Sequence, residues 1–122
     1  MLDQTLATSP PVSAPEKTGA VVETMGSMLF LSRQGFRRRI PMGSRVLRAR
    51  RGLDRAVGKG LGFHLWMHVE DLVPDTALML AGLDCVLAEA RARADRGDLA
   101  LRTMAELGAE PGAELAAGTA AP

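Results

Sequence analysis

Two histidines and the only tryptophan of the chain recur at every second position within residues 62–68. A β-strand places alternate side chains on opposite faces, so His64, Trp66 and His68 are predicted to share one face of a strand. The opposite face carries apolar side chains suited to a core: Phe63, Leu65 and Met67. Because His68 stands at the carboxyl end of this strand, where parallel α/β folds carry their chemistry, we predict a remnant of an active site there.

The same two histidines suggest metal binding as an alternative. On a helix, His64 and His68 would resemble the H-E-x-x-H motif of metalloproteases, but Leu65 replaces the glutamate that acts as the base. On a strand they lie about 13 Å apart, too far to share one ion. Asp71 and Asp75 follow the strand and could coordinate an ion or cap a helix, of which capping fits better. If the two histidines bind no metal, they are expected to be partly buried and hydrogen-bonded within the fold. We expect no metal site in this chain.

Positive charge is concentrated in one segment. Residues 33–59 hold ten basic residues and one acidic residue, Asp54, although the whole chain has a formal net charge of only +1. Such a segment can form an anion-binding surface, or it can be a solvated helix face that balances acidic groups elsewhere. Phe36 is the only aromatic residue there and no nucleic-acid motif is present, so nucleic-acid binding is not expected.

Length and composition predict one small domain between two polar tails. Residues 1–18 are rich in threonine, serine and proline, and residues 108–122 in glycine, alanine, glutamate and proline, so both are predicted to be disordered. Residues 19–107 remain as the structured part, which is near the lower size limit of a self-sufficient domain.

Compartment and membrane signals are weak. The first residues lack the basic start and apolar run of a secretory signal, and no apolar run is long enough to cross a bilayer. The single Cys85 falls in an apolar helix pattern and is predicted to be buried and inert. One cysteine fits a reducing compartment, so we expect a cytoplasmic protein; the abundance of alanine, leucine and arginine suggests a bacterial source.

The elements that position these residues follow from local patterns. Short strands are predicted at 20–23 and at 28–31, of which the second could instead be the wall of a pocket. Ser44 is a suitable N-cap for a helix over 45–59, and Gly60 would end it. The apolar stripe of this helix would consist of Val46, Leu47, Leu53, Ala56 and Val57.

A second helix follows the strand at 62–68. Pro74 is predicted in its first turn and Gly97 at its end. A short strand at 99–103 and a last helix come next, with Thr103 and Glu106 at the spacing of a capping box. The apolar stripe of the long helix would consist of Leu80, Leu83, Leu87, Ala90 and Ala94.

Strands that alternate with helices predict βαβ units and a parallel sheet, hence the α/β class. We expect residues 62–68 to be a central strand of that sheet. A right-handed crossover would return the long helix to the apolar face of the strand, with Leu83 and Leu87 packed against it.

Several runs together resemble the C-terminal end of polysaccharide deacetylases. The late part of the likeness is carried by the run Phe-His-Leu-Trp-Met-His at 63–68, by Asp71 and Leu72, by the long helix ending at Arg96 and Gly97, and by residues 101–107. The earlier part is carried by residues 21–23, 27–28, 36–38 and 52–54. The likeness covers residues 20–107, and the order and spacing of its pieces are persuasive together.

This resemblance implies a C-terminal fragment of a distorted, incomplete β/α barrel with short parallel strands. The family hydrolyses N-acetyl groups on sugars with a divalent metal such as zinc. Its late motif contains a histidine that acts as general acid toward the leaving amine, and this sequence matches it at His68. His64 and Trp66 would line the substrate pocket. In many members a proline follows the histidine, whereas Val69 stands here.

The resemblance also implies what is missing. The first motifs of the family supply an aspartate pair and two histidines that bind the metal, and this chain has only the two histidines at 64 and 68. We therefore expect a truncated or degenerate deacetylase-like hydrolase, inactive alone and without a cofactor of its own, whose partners are a carbohydrate and an N-terminal half. The alternative is a small non-catalytic α/β interaction module that uses the basic segment 33–59.

Overall fold

The structure, a computed structural model, describes residues 9–30 and 32–109. It is a mixed α/β fold, as the sequence predicted, with two small sheets and no closed barrel among these residues. In chain order the elements are β1 (Glu16–Thr18), β2 (Val21–Glu23), β3 (Met28–Leu29), a 3-10 helix (Gly35–Arg39), α1 (Met42–Lys59), β4 (Leu65–Trp66), a second 3-10 helix (Val69–Asp75), α2 (Thr76–Asp95) and α3 (Met104–Ala109).

An antiparallel hairpin near the N-terminus corrects the predicted boundary of the first tail. β1 pairs with β2 so that Lys17 lies opposite Val22. Gly19 adopts a φ of 63° in the turn between them, a conformation that favours glycine in short hairpin loops. Residues 16–18 therefore belong to a strand rather than to a disordered tail, because β2 offers them a pairing edge.

Residues before the hairpin also contact the body of the protein. Ser13 and Gly62 exchange two backbone hydrogen bonds, of 3.1 and 2.8 Å, and the Pro10 ring is fully buried. Pro10 and Ser13 of the first predicted tail thus lie against the body of the protein, whereas residues 1–8 lie outside the described residues. The second predicted tail begins inside α3, which reaches Ala109, and residues 110–122 also lie outside them.

The core lies between the parallel strands and the packed helices α1 and α2. Its most buried side chains are Met28, Phe30, Ala49, Met79 and Val86. The apolar face of residues 62–68 packs against this cluster through Phe63, Leu65 and Met67, which confirms the alternation read from the sequence. β4 pairs only with β3 among the described strands, so it is not the central strand that we predicted.

Helix α1 begins earlier than predicted, and its buried face is broader than the predicted stripe. Its first residue is Met42 and Pro41 stands at the N-cap, so Ser44 is inside the helix; its end at Gly60, with a φ of 66°, is as predicted. Leu53 and Ala56 are buried and Val46 packs against the core, as predicted, whereas Leu47 is exposed. The buried face also contains Arg45, Arg48, Ala49 and Gly52, which the stripe did not include.

Helix α2 is rotated relative to part of its predicted stripe. Leu83 packs against the core and Ala90 is buried, as predicted, but Leu80 and Leu87 are 48% and 56% exposed. Cys85 is exposed too, so the prediction of a buried thiol is wrong. The buried positions are Met79, Gly82, Val86, Ala90 and Arg93. Alanine and leucine occur all round this helix, and the missing side chain of Gly82 lets Met42 of α1 pack closely there, which selects the buried side.

In the C-terminal segment the structure lacks the predicted strand but has the predicted helix cap. Residues 99–103 were predicted as a strand but pair with no strand, so this expectation is wrong for the described chain. Helix α3 has the predicted capping box. The N–H of Thr103 donates to Glu106 Oε2 at 2.9 Å, and the N–H of Glu106 donates to Thr103 Oγ1 at 3.1 Å.

Loss of the cap should loosen α3. Thr103→Ala removes an acceptor at the N-cap, which costs about 1 kcal/mol, so the amide of Leu107 should exchange roughly five times faster. Native-state hydrogen exchange measures this, and Thr103→Ser, which retains the hydroxyl, is the matched control. Equal exchange in the alanine and serine variants would contradict the capping role.

Candidate functional site

A parallel pair of strands positions the predicted site residues. β3 and β4 pair in register Met28–Leu65 and Leu29–Trp66. The N–H of Met28 donates to the carbonyl of His64 at 3.2 Å, and the N–H of Phe30 donates to the carbonyl of Trp66 at 2.8 Å. Because these bonds fix the pleat of β4, they also fix which side chains face the core and which face away.

The side chains of Trp66 and His68 contact each other on the outer face. Their ring centroids are 5.6 Å apart and their planes are perpendicular, an edge-to-face contact that aromatic rings favour. The indole lies over Gly26, where a Cβ atom would come within 2.8 Å of Trp66 Nε1. A side chain at position 26 would therefore displace the indole and its contact with His68.

His68 lies where the strand ends and the second 3-10 helix begins. Its backbone N–H donates to Asp71 Oδ2 at 2.9 Å, and the N–H of Asp71 donates to the His68 carbonyl at 3.0 Å. Asp71 thus caps this turn, as predicted. The imidazole itself is exposed, so it can reach a substrate or a partner while the backbone is held in place. Histidine is the side chain most often used as a general acid or base.

Asp75 has a different role from the one predicted. It stands at the N-cap position of α2 without a side-chain capping bond. Its Oδ2 atom instead accepts a hydrogen bond from Arg33 Nε at 3.1 Å. The contact joins the loop after β3 to the start of α2 and uses one cation of the basic segment.

His64 is separated from the other two aromatic residues. Its backbone N–H donates to Ser27 Oγ at 3.1 Å, while its Nδ1 atom is buried and finds no hydrogen-bond partner among the described residues. The residue borders a cavity of about 330 Å³ whose lining includes neither Trp66 nor His68. The structure therefore brings Trp66 and His68 together, whereas His64 lies at the wall of a separate cavity that is lined mainly by apolar side chains.

The sequence patterns did not indicate two residues that contact β4, Gly26 and Ser27. Ser27 accepts the N–H of His64, and Gly26 leaves room for the indole. The only signal in the sequence is a Gly-Ser pair directly before an apolar run, which is too common to indicate either role. Their importance comes from parallel pairing with a segment nearly forty residues later in the chain.

The basic segment 33–59 is partly used inside the fold. Arg45 and Arg48 are 1% and 5% exposed. Arg45 Nη2 donates to the carbonyls of Arg37 at 2.8 Å and Ser32 at 3.3 Å, but its Nε and Nη1 atoms find no hydrogen-bond partner among the described residues. Burial, with the positive charges of Arg33 and Arg37 nearby, lowers the pKa of the Arg45 guanidinium, and burial lowers the pKa of Arg48.

A third buried cation, Arg93, is paired with two carboxylates. Arg93 Nη2 donates to Asp54 Oδ1 at 2.7 Å and Arg93 Nη1 donates to Glu89 Oε2 at 2.9 Å. Glu89 also pairs with Arg50 at 3.1 Å, so the cluster ties α1 to α2. Burial alone would lower the pKa of Arg93, but its hydrogen bonds to Glu89 and Asp54 outweigh burial and raise it. Arg50 and Arg93 therefore join the two helices through shared carboxylates, whereas Arg45 and Arg48 are enclosed in the fold.

The cost of burying Arg48 can be measured. Arg48→Met keeps an unbranched apolar stem and removes a desolvated charge whose Nε atom finds no partner among the described residues. We expect the free energy of unfolding to rise by about 1 kcal/mol in urea titrations, as when buried ionic groups are replaced by apolar ones. Arg55→Met, at an exposed position of the same helix, is the control and should change little. A clear loss of stability in Arg48→Met would show that the guanidinium is well paired.

Metal-binding geometry is not found in the part of the chain that the structure describes. No three histidine, cysteine, aspartate or glutamate side chains within residues 9–30 and 32–109 lie close enough to hold an ion. Across the same ranges, every helix is too short or too polar to span a membrane. The donors present here thus do not fit the metal that the family resemblance implies.

Comparison with known proteins gives no further assignment. No family model, no curated protein and no solved structure matches this chain.

Proposed function

We propose that this chain is the C-terminal part of a polysaccharide deacetylase-like hydrolase, truncated or degenerate, and inactive alone. The observation that carries the proposal is the position of His68. It follows directly after a strand that pairs in parallel with β3, and its exposed imidazole packs against Trp66. The resemblance to the late motif of that family falls on these same residues.

The topology around His68 is consistent with a fragment of a β/α barrel. A short parallel strand leads through a 3-10 turn into the long helix α2, which packs back against the core. Polar residues placed after the carboxyl ends of parallel strands are the usual catalytic positions of such barrels. The fragment assignment rests on this order of elements together with the sequence resemblance.

The exposed apolar surface supports a missing half. Leu80 and Leu87 on α2 are about half exposed, and Val69 and Val73, on the 3-10 turn between β4 and α2, are 82% and 72% exposed. A helix with apolar side chains on more than one side is typical of an element that is covered on more than one side. An N-terminal half that continues the barrel would cover these side chains.

In the proposed reaction His68 acts on the leaving group. The oxygen of a water adds to the acetyl carbon of the N-acetyl sugar, and the proton of that water passes to a base that would lie on the N-terminal half. The C–N bond then breaks and acetate is released, while the imidazole of His68 donates a proton to the departing nitrogen, which leaves as the sugar amine. In the complete family a divalent metal activates the water. The described residues offer no ligand set for it, so those ligands would have to come from the N-terminal half.

The genomic context of the chain tests this proposal. We expect an upstream reading frame to encode an aspartate pair and an H-x-x-x-H segment, and its product to co-purify with this chain. The purified chain alone should retain no zinc after dialysis, because its donors do not fit an ion. Stoichiometric zinc in the isolated chain would show that ligands had been overlooked. An upstream region without such a frame would favour a non-catalytic module.

A further inference from the structure

The first 3-10 helix, Gly35–Arg39, displays an aromatic ring and a run of arginines, and none of its residues is buried. Phe36 is 63% exposed, and Arg38 and Arg39 are exposed as well. Side chains three residues apart lie on one side of a 3-10 helix, so Phe36 and Arg39 share a side. Across residues 9–30 and 32–109, the guanidinium groups of Arg38 and Arg39 have no hydrogen-bonding or ion-pair partner.

This helix is held in place by buried groups. Arg45, which is 1% exposed, donates from Nη2 to the carbonyls of Arg37 at 2.8 Å and Ser32 at 3.3 Å. Ile40, directly after the helix, is buried too. The chain is therefore fixed before, within and after the helix, while Phe36 stays outside the core. A surface that covered this ring would gain the free energy of its burial.

Positive charge is in excess around the same helix. Residues 33–39 contain four arginines and no acidic residue. Arg33 pairs with Asp75, but burial and then the nearby charges of Arg33 and Arg37 still lower the pKa of Arg45. Like charges disfavour one another in this way, and an anionic partner would relieve the repulsion.

We propose that the helix Gly35–Arg39 is a docking surface for a membrane of anionic phospholipid. The ring of Phe36 enters between the headgroups, and the exposed arginines stay among the phosphates, the usual division of roles at a membrane interface. A nucleic-acid strand fits less well, because such strands stack successive bases on several aromatic rings. Phe36 is the only aromatic residue of segment 33–59.

Sedimentation with sucrose-loaded vesicles tests this surface on the isolated chain. One set of vesicles is phosphatidylcholine alone, and the other contains phosphatidylglycerol as about one third of its lipid. The chain should bind the anionic vesicles at least about tenfold more tightly than the neutral ones. Added salt should weaken the binding, because it screens exposed charges.

Charge variants locate the binding. Arg38→Gln combined with Arg39→Gln should weaken it about thirtyfold, since each cation near an anionic surface contributes a factor of about five. Arg38→Lys combined with Arg39→Lys keeps the charges and should bind like the parent chain. Arg55→Gln is the matched control and should change binding less than about twofold. Arg55 is exposed and lies about 20 Å along α1 from the first residue of that helix, Met42.

The aromatic ring is tested separately. Phe36→Ala should weaken binding to the anionic vesicles at least about fivefold, because the ring no longer enters the headgroup region. Met104→Ala is the matched control, since Met104 is 59% exposed but lines the cavity beside Gly62 and His64, which precede β4. The helix Gly35–Arg39 instead follows the carboxyl end of β3, so the two positions lie at opposite ends of the parallel strands. Circular dichroism checks that each variant folds.

Three results would overturn the docking surface. They are no binding to the anionic vesicles, equal binding to anionic and neutral vesicles, or unchanged binding in both Phe36→Ala and the paired glutamine variant. If a single-stranded oligonucleotide bound more tightly than the anionic vesicles and lost binding in the same variants, the surface would belong to nucleic acid. The assay uses the isolated chain and no substrate, so its outcome is independent of the proposed hydrolase.

Discussion

Turnover should fall about 10²–10⁴-fold when His68→Ala is introduced into the chain assembled with the proposed N-terminal half, the range expected for loss of a general acid. The fold should survive the change. The bond that anchors this position runs from the backbone N–H of His68 to Asp71, and alanine keeps it. The imidazole is exposed, so its removal opens no cavity. Initial rates of acetate release measure the effect, and circular dichroism measures folding.

His64→Ala is the matched control for this prediction. His64 lies two positions before Trp66 on the same strand but borders a different space, so its loss should reduce turnover far less. Loss of turnover in His64→Ala with full activity in His68→Ala would show that the family motif is aligned wrongly. A pH–rate profile adds a second readout, because removal of a general acid also removes the limb of the profile that reports its titration.

Gly52→Val should destabilise the protein by about 3 kcal/mol, at the upper end of the range for overpacked cores. Gly52 lies on the buried face of α1, where a Cβ atom would overlap the Phe63 ring and come within 2.6 Å of Pro10 Cγ. Both neighbours are rings, which have little freedom to move aside. Since native domains are stable by only about 5–15 kcal/mol, urea denaturation should detect the loss readily.

Gly58→Ala in the same helix is the matched control. A Cβ atom there meets nothing within 4 Å, and alanine favours the helix over glycine by about 0.5–1 kcal/mol. This variant should therefore be slightly more stable than the parent chain. If Gly52→Val were equally stable, the close packing of α1 on Phe63 would be wrong, and with it the placement of the strand that carries His68.

The alternation over residues 62–68 was predictable because it allows only one arrangement, although only Leu65–Trp66 of this run forms the strand β4. Phe63, Leu65 and Met67 all pack against the core, and a one-residue shift would have buried the other face instead. The same rule placed Trp66 and His68 side by side on the outer face. The end of α1 at Gly60 and the capping box of α3 were predictable for a similar reason, since their signals are local.

The side of each helix that is buried was less predictable, because the helix sequences permit several buried sides. Apolar residues surround α2, and long-range contacts such as that of Gly82 with Met42 select the buried side. Burying a charged side chain usually costs free energy, so the sequence suggested that Arg45 and Arg48 lie on a solvated face. In the structure both are buried. The separation of His64 from Trp66 depends on a cavity formed with residues 99–107, which no local pattern shows.

The central claim is that this chain completes a deacetylase whose other half lies on another polypeptide. The most direct test is acetate release from an N-acetylglucosamine oligomer by this chain, by the upstream polypeptide, and by the two mixed. We predict release only from the mixture, and its loss on addition of a chelator, because the metal ligands and His68 are on different chains. Acetate release by this chain alone, or none from the stable mixed complex supplied with zinc, would contradict the claim.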